Sequence, residues 1–208
     1  MLKRIVLGLV LALLLAMPAT AQELFGTINT KFRQLSTQGN LFGCSLEYAA
    51  ATRDHVYKQG GMVLVYGHIS LLRAKGNIIV ALKVVLKDRK FGPAGMSYVP
   101  VRPYFAYLQS KDGRTNVSGF HSKTASDTPG ATNFAFNFDD NFLHIWLDMM
   151  ERNATTLVYN RDKGGLDVSL KLDLTVRETY DDGRRGHSPA MMLNWEKCIR
   201  GLTDKLKK

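Results

Sequence analysis

The stretch LDVSLKLDLTVR, residues 166–177, decides the fold class of this chain. Its apolar residues alternate without exception with polar or charged ones, which is typical of a strand that buries one face and keeps the other in water. The same period of two runs through residues 78–86. Glycine-containing turns at 74–77 and 164–165 each join two apolar segments, which predicts two hairpins. The chain is therefore expected to consist mainly of antiparallel strands.

Further segments extend this prediction to the rest of the chain. Alternating or aromatic-rich segments predict strands at residues 44–52, 62–72, 104–108, 116–121 and 133–138, and segments rich in turn-forming or charged residues predict loops at 91–103, 122–133 and 177–187. The first loop is a candidate binding loop, since irregular segments of that length are uncommon unless functional or disordered. Apolar residues at helical spacing predict a short helix over 24–35. We predict an antiparallel β-sandwich or partly open barrel of about seven to nine strands.

Residues 142–151 fit two secondary structures, because their apolar residues match both a helical stripe and an alternating strand face. Aromatic-rich arms on either side of residues 139–141 favour a hairpin, and we predict a strand. A helix capped by Asp140 is the alternative and would make the fold α+β. On a helix, Asp140, His144 and Asp148 would be stacked neighbours able to form an acid–base site. On a strand they would lie about 13 Å apart.

A C-terminal amphipathic helix is predicted over residues 188–206. Ser188 can cap it, Pro189 suits its first position, and the apolar residues that follow are three or four apart. Cys198 lies on this apolar stripe, and Cys44 lies on the apolar face of its predicted strand. Because both thiols are expected to point into the core, we predict a structural Cys44–Cys198 disulfide that ties the helix to the first core strand. Two separate buried thiols are the alternative.

The N-terminus has the pattern of a secretory signal peptide. Lys3 and Arg4 precede an apolar run at residues 5–17, and small residues follow it up to Ala21. We expect residues 1–21 to be cleaved; a retained anchor is the alternative, although the run is short for a transmembrane helix. Residues 22–208 are then expected to form one mostly β domain without a transmembrane segment, in the bacterial periplasm or outside the cell.

The chain is strongly basic. Its formal net charge is +10, and loss of the two signal-peptide cations leaves +8. Basic residues cluster, with aromatic residues beside some of them, at Lys83, Lys87, Arg89 and Lys90 and at Arg184 and Arg185. Cations beside aromatic rings can hold anionic polymers, and outside the cytosol such polymers belong to the envelope, so nucleic acid is not expected. These six residues are the candidate anionic-ligand surface; solvated strand ends are the alternative.

Motifs that carry a reaction do not occur in the sequence. No two of the five histidines have metal-binding spacing, the two cysteines form no zinc motif, and there is neither Gly-x-Ser-x-Gly nor a glycine-rich phosphate loop. We therefore expect no catalytic residue, metal or cofactor. The function expected is a non-enzymatic envelope protein that binds an anionic polymer, a lipid surface or another envelope protein. A small envelope hydrolase, with a site assembled from scattered His and Asp residues, is the alternative.

Overall fold

The computed structural model describes residues 25–74 and 76–204, which contain twelve strands and two helices. The expected signal peptide, residues 1–21, lies outside the described residues, as do residues 205–206 of the predicted C-terminal helix. In chain order the elements are β1 (Gly26–Thr37), β2 (Asn40–Asp54), β3 (Gly61–Ala74), β4 (Asn77–Gly92), β5 (Gly95–Val101), β6 (Phe105–Gln109), β7 (Phe120–Ala125), β8 (Ala131–Asn137), α1 (Asp140–Arg152), β9 (Ala154–Asn160), β10 (Val168–Asp173), β11 (Val176–Thr179), β12 (Arg185–His187) and α2 (Ala190–Asp204).

The strands form three antiparallel sheets. The largest has seven strands, with neighbours in the order β1-β2-β3-β4-β8-β7 and with β5 paired to β4. A second sheet has the order β10-β9-β6, and β11 pairs with β12 in a third. No sheet of the described residues closes into a barrel, and α2 packs on β2 and β1. The predicted class, mostly antiparallel β with a C-terminal helix on the sheet, is confirmed.

The core is built on one face of the large sheet. Leu46, Ile69, Leu82 and Phe134 lie directly opposite one another on β2, β3, β4 and β8, and all four are buried. Side chains from the second sheet and from both helices join the same apolar cluster. This row fixes the register of the sheet, because a slip by one residue would turn every side chain to the other face.

Cys44 and Cys198 form a disulfide, as predicted. Their Cα atoms are 6.0 Å apart, and the exposed fractions of the two residues are 0% and 2%. The bond joins β2 to α2 beside the buried Trp195 of the same helix. It therefore fixes the C-terminal helix to the core face of the sheet across a sequence separation of 154 residues.

Residues 24–35 were expected to form a short helix, and that prediction is wrong, since most of this segment forms β1. The strand pairs with β2 from Gly26 to Thr37, so the backbone groups that point toward β2 are paired across the ladder. Two buried threonines hold it to the next layer: Thr27 Oγ1 accepts from the Asp173 amide at 2.8 Å, and Thr30 Oγ1 donates to the Val176 carbonyl at 2.8 Å. Pairing and β-branched threonines outweigh the helical spacing of the apolar residues.

Residues 142–151 were predicted as a strand and instead lie within the helix α1. Asp139, in an extended conformation, caps the helix by accepting a hydrogen bond from the Phe142 amide at 3.0 Å. Asn153 ends the helix in the left-handed region, with φ of 50°. Phe142, Ile145 and Met149 form the buried stripe. The N-cap is thus Asp139 and not Asp140, which was expected to cap the helix in the alternative prediction.

Three predicted loops contain strands, which raises the count of strands in the described residues above the seven to nine expected. Residues 91–103 include β5, which returns along β4; residues 122–133 include the end of β7 and the start of β8; and residues 177–187 form the β11–β12 hairpin. Local pairing of hairpin partners organises all three despite their turn-rich composition. The strand expected at 116–121 begins only at Phe120, and the long alternating stretch is divided between β10 and β11.

Candidate ligand-binding groove

A row of polar side chains crosses the face of the large sheet that lies opposite the core. Register places Lys31 of β1 opposite Glu47 of β2, Glu47 opposite His68 of β3, and His68 opposite Lys83 of β4. Directly opposed residues on antiparallel strands share a face and have Cβ atoms about 5 Å apart. Four neighbouring strands therefore bring three cationic or titratable groups and one carboxylate together.

This row lies in a groove of about 820 Å³. A volume of that size is within the range, roughly 300–1,000 Å³, of small-molecule sites. On the β1 side, the groove is bordered by β11, by Ser188, which follows β12, and by the start of α2. The lining residues are Asn29, Thr30, Lys31, Phe32, Glu47, Tyr48, Ala49, Tyr66, Gly67, His68, Lys83, Val85, Thr128, Arg177, Ser188, Ala190, Met191 and Asn194.

The charges around the groove are mainly positive. Lys31, Lys83 and Arg177 are the cations among its described lining residues, and Glu47 is the acid. Glu47 is already paired, because Arg33 Nε lies 2.9 Å from its Oε1. The Lys83 ammonium donates to Thr128 Oγ1 at 3.0 Å, and its charge also acts on the exposed Asp127 carboxylate next to that threonine. Cations nevertheless outnumber carboxylates around the groove. A negative group in the groove would meet this excess of positive charge.

His68 is held in its neutral form by its surroundings. Burial lowers the pKa of the imidazole below its ordinary value of 6.5, and the neighbouring Lys83 cation lowers it further, whereas Glu47 opposes both effects. A neutral imidazole has one donor and one acceptor nitrogen. An added negative charge nearby would favour the protonated form, since an opposite charge stabilises it.

Close approach of two strands shapes the floor of the groove. A Cβ on Gly67 would overlap the Lys83 carbonyl oxygen, so a side chain cannot be built at this position without moving β4. The Tyr48 hydroxyl donates to that same carbonyl at 3.0 Å. Burial raises the pKa of Tyr48, which therefore stays neutral. Gly67 and Tyr48 hold the backbone from which His68 and Lys83 project.

The structure separates the six residues of the predicted anionic-ligand surface. Lys83 lines the groove, and Lys87 and Arg89 follow on the same face of β4, with the Lys87 ammonium 5.2 Å from the centre of the Tyr66 ring. Lys90 is exposed on the other face of that strand.

Arg184 and Arg185 belong to the β11–β12 hairpin in a different sheet. Arg184 pairs with Asp182 at 2.6 Å and lies over the Tyr180 ring, and Arg185 donates to the Phe25 carbonyl. The two arginines are thus occupied locally, and they are absent from the groove lining. Of the charged and titratable residues that line the groove, the residues predicted from the sequence include Lys83 but not Lys31, Glu47, His68 or Arg177. The only sequence signal for these was their position on the polar faces of alternating strands.

A buried charge cluster was also missed. Arg161 lies 2.7 Å from Asp54 Oδ2 and 2.9 Å from Asp88 Oδ1, and Lys58 lies 3.3 Å from Asp88 Oδ2. The side chains of Asp54, Asp88 and Arg161 are at most 8% exposed. All three are matched by opposite charge, and the cluster joins β2 and β4 to the end of β9. We expect its role to be structural, because removing one member would leave a buried charge without its partner.

The acid–base alternative at Asp140, His144 and Asp148 has the helical geometry it required, because α1 spans all three. Asp148 is engaged by Arg152 at 2.7 Å, and Asp140 and His144 are exposed outside the groove. Across residues 25–74 and 76–204, no group of three His, Cys, Asp or Glu side chains could hold a metal ion. No helix in the same residues is long and apolar enough to cross a membrane.

Comparison of the chain with protein-family models, curated proteins and solved structures finds no match. The groove on β1–β4 is therefore the basis of the functional proposal.

Proposed function

We propose that the protein is a non-enzymatic binding protein of the bacterial envelope whose groove takes a ligand with an anionic group and an apolar part. The observation that carries this proposal is the lining of the groove. Lys31, Lys83 and Arg177 surround it with positive charge, and Phe32 and Met191 add apolar surface. A mostly apolar concavity with a few placed polar groups is the usual form of a ligand site.

Lys83 is the residue proposed to hold the anionic group. It is half-buried, so its attraction for an anion is less screened than that of an exposed lysine. Its ammonium has three donors, of which one is used by Thr128. His68 lies beside it and can add a donor or, once protonated, a second positive charge.

The predicted export of the chain supports an envelope source for the ligand. The N-terminal pattern predicts a signal peptide, and the Cys44–Cys198 bond is of a kind that persists outside the cytosol. Anionic groups available there include lipid headgroup phosphates and wall polymers. Both present a phosphate or carboxylate beside less polar atoms, which is the chemistry that the groove would recognise.

Octyl sulfate tests this proposal, since its headgroup stays anionic over the accessible pH range and its chain is apolar. Calorimetric titration of residues 22–208 is expected to show saturable binding of octyl sulfate at one site and no comparable binding of the neutral octyl glucoside. Lys83→Gln should weaken binding by at least about tenfold, because a charge-assisted hydrogen bond is lost. Lys171→Gln, exposed on β10, is the matched control and should leave affinity unchanged. Equal binding of both probes, or equal loss in both variants, would contradict the proposal.

A small envelope hydrolase is the second candidate, favoured by the direct apposition of Glu47 and His68 inside the groove. A carboxylate beside an imidazole can orient it as a general base. This candidate predicts turnover of a short ester such as p-nitrophenyl butyrate, with a loss of about a hundredfold or more in His68→Gln and none in His144→Gln. Turnover that survives His68→Gln, or no turnover at all, excludes it.

A further inference from the structure

The hairpin formed by the end of β4 and by β5 projects beyond the large sheet. β4 pairs with β8 only up to Val85 and with β3 only up to Asp88. From Arg89 to Gly92 its only partner among the described residues is β5. At about 3.3 Å per residue this two-stranded segment extends roughly 13 Å. We call residues 89–98 the hairpin tip.

The hairpin tip exposes large apolar side chains to solvent. Phe91 is 73% exposed and Met96 is 56% exposed, and the two lie directly opposite each other in the register. Tyr98 lies two residues after Met96 on the same face of the hairpin, opposite Arg89. Apolar side chains exposed to this extent carry a cost in water that a less polar environment would relieve.

The charge at the hairpin tip is positive. Arg89 lies 5.2 Å from the centre of the Phe91 ring, Lys90 is exposed next to it, and Lys87 lies at the base. Asp88 is the acid in this part of the chain, and it is buried and paired with Arg161 and Lys58. The surface of the hairpin tip therefore presents cations around an apolar end, without an exposed carboxylate of its own.

We propose that the hairpin tip docks on an anionic lipid bilayer. Phe91 and Met96 would enter the headgroup region, and Lys87, Arg89 and Lys90 would lie among the lipid phosphates. Apolar insertion together with basic residues near the surface is the combination that holds peripheral proteins on membranes. The positive net charge of the whole chain adds to this attraction.

The shape of the hairpin tip favours a bilayer over a folded protein partner. Its two strands are about 4.8 Å apart, so the hairpin tip is a narrow projection and does not form a broad, flat face. A bilayer needs no matching shape, because its headgroup region adapts to whatever enters it. Charge complementarity and narrow shape thus point to the same occupant.

This inference is independent of the ligand proposed for the groove. Lys83, Lys87, Arg89 and Phe91 lie on one face of β4 by strand alternation, so a docked hairpin tip would turn the groove face toward the membrane. Binding at the groove and binding by the hairpin tip can nevertheless be removed separately by mutation, because Lys83 lines the groove and Phe91 does not.

Vesicle sedimentation tests the inference, with residues 22–208 used so that the apolar run at 5–17 does not itself enter the lipid. The chain is expected to bind vesicles of phosphatidylcholine that contain phosphatidylglycerol and to bind pure phosphatidylcholine weakly. Phe91→Ser with Met96→Ser should lower the partition coefficient by at least about tenfold. Lys87→Gln and Lys90→Gln should lower it by about fivefold each. Binding should weaken as salt is added.

The matched control replaces two exposed apolar residues elsewhere, Leu166→Ser with Val117→Ser, which are 74% and 66% exposed. This pair and Lys171→Gln, which removes an exposed cation on β10 outside both sites, are expected to leave vesicle binding unchanged. A Phe91→Trp variant gives a second readout, because its added fluorescence should be quenched by brominated phosphatidylglycerol. Absence of binding, equal binding to neutral vesicles, no quenching, or equal loss in the control variants would overturn the inference.

Discussion

His68 lies directly opposite Glu47 across the β2–β3 ladder, on the face of the sheet away from the core. Lys83 lies opposite His68 on the other side, so the imidazole is flanked by a carboxylate and an ammonium from two different strands. Burial and Lys83 together outweigh Glu47 and lower the pKa of His68. An anion bound beside His68 would raise this pKa again and favour the protonated imidazole.

The first prediction concerns the pH dependence of binding. An anion beside His68 raises the pKa of the imidazole, so binding is coupled to proton uptake and the affinity for octyl sulfate should rise as pH falls from about 8 to about 5.5. Titration calorimetry in buffers of different ionisation enthalpy measures the proton uptake. In His68→Gln both the uptake and the pH dependence should largely disappear, whereas His144→Gln, exposed on α1, should retain them.

The same pKa shift predicts the sign of the effect on stability without ligand. The pKa of His68 in the folded chain lies below its ordinary value of 6.5, so on acidification the unfolded chain takes up this proton first. The contribution of His68 to the free energy of unfolding is fully present above pH 6.5 and is lost as pH falls through the pKa of His68 in the folded chain. The melting temperature of the wild type should thus fall more on acidification through this window than that of His68→Gln. An equal fall in both would contradict the assignment.

A second prediction concerns the buried cluster around Arg161. Arg161→Met leaves Asp54 and Asp88 buried without their main counter-charge and should lower the free energy of unfolding by about 3–5 kcal/mol. Arg152→Met, which breaks only the surface pair with Asp148, is the control and should change it by about 0.5 kcal/mol or less. Urea unfolding curves of both variants measure the difference. Similar small effects would mean that the cluster does not hold the sheets together.

A third prediction concerns the disulfide. The double substitution Cys44→Ser with Cys198→Ser removes a bond between residues separated by 154 positions in the sequence. It should lower the free energy of unfolding by up to about 5 kcal/mol, because the unfolded chain is no longer constrained. Urea unfolding of the variant and of the reduced wild type should give similar midpoints, both below that of the oxidised wild type. Recovery of two alkylatable thiols from the denatured, unreduced protein would contradict the bond itself.

Much of the fold follows from the sequence, because a strand with one buried face requires apolar and polar residues to alternate, and this pattern can be seen locally. Alternation correctly predicts the buried position of Cys44 and the strand character of residues 168–173, and Cys198 is placed by the matching helical stripe. Alternation does not show that the stretch 166–177 is divided between β10 and β11, which belong to different sheets. α1 was missed because its apolar residues satisfy both periods. The cap that decides between them is Asp139, whose role depends on backbone geometry that spacing alone does not show.

The groove could be predicted only in part. Lys83 stands in a basic cluster of the sequence and was proposed from it, whereas Lys31, Glu47 and His68 come from separate strands and meet only through register. Register depends on pairings over the whole sheet, including the burial of Leu46 and Ile69 on the opposite face. Adjacent cations such as Arg184 and Arg185 were grouped by sequence proximity, which carries no information on which sheet each one joins.

The most direct test of the proposed function is a nuclear magnetic resonance titration of isotopically labelled residues 22–208 with octyl sulfate, which locates the binding site. Saturable shifts are expected at the amides of Lys31, Glu47, His68 and Lys83, with no shifts on β10 or on α1, and Lys83→Gln should weaken them. Shifts confined to other parts of the chain, or shifts that do not saturate, would contradict a binding site in the groove.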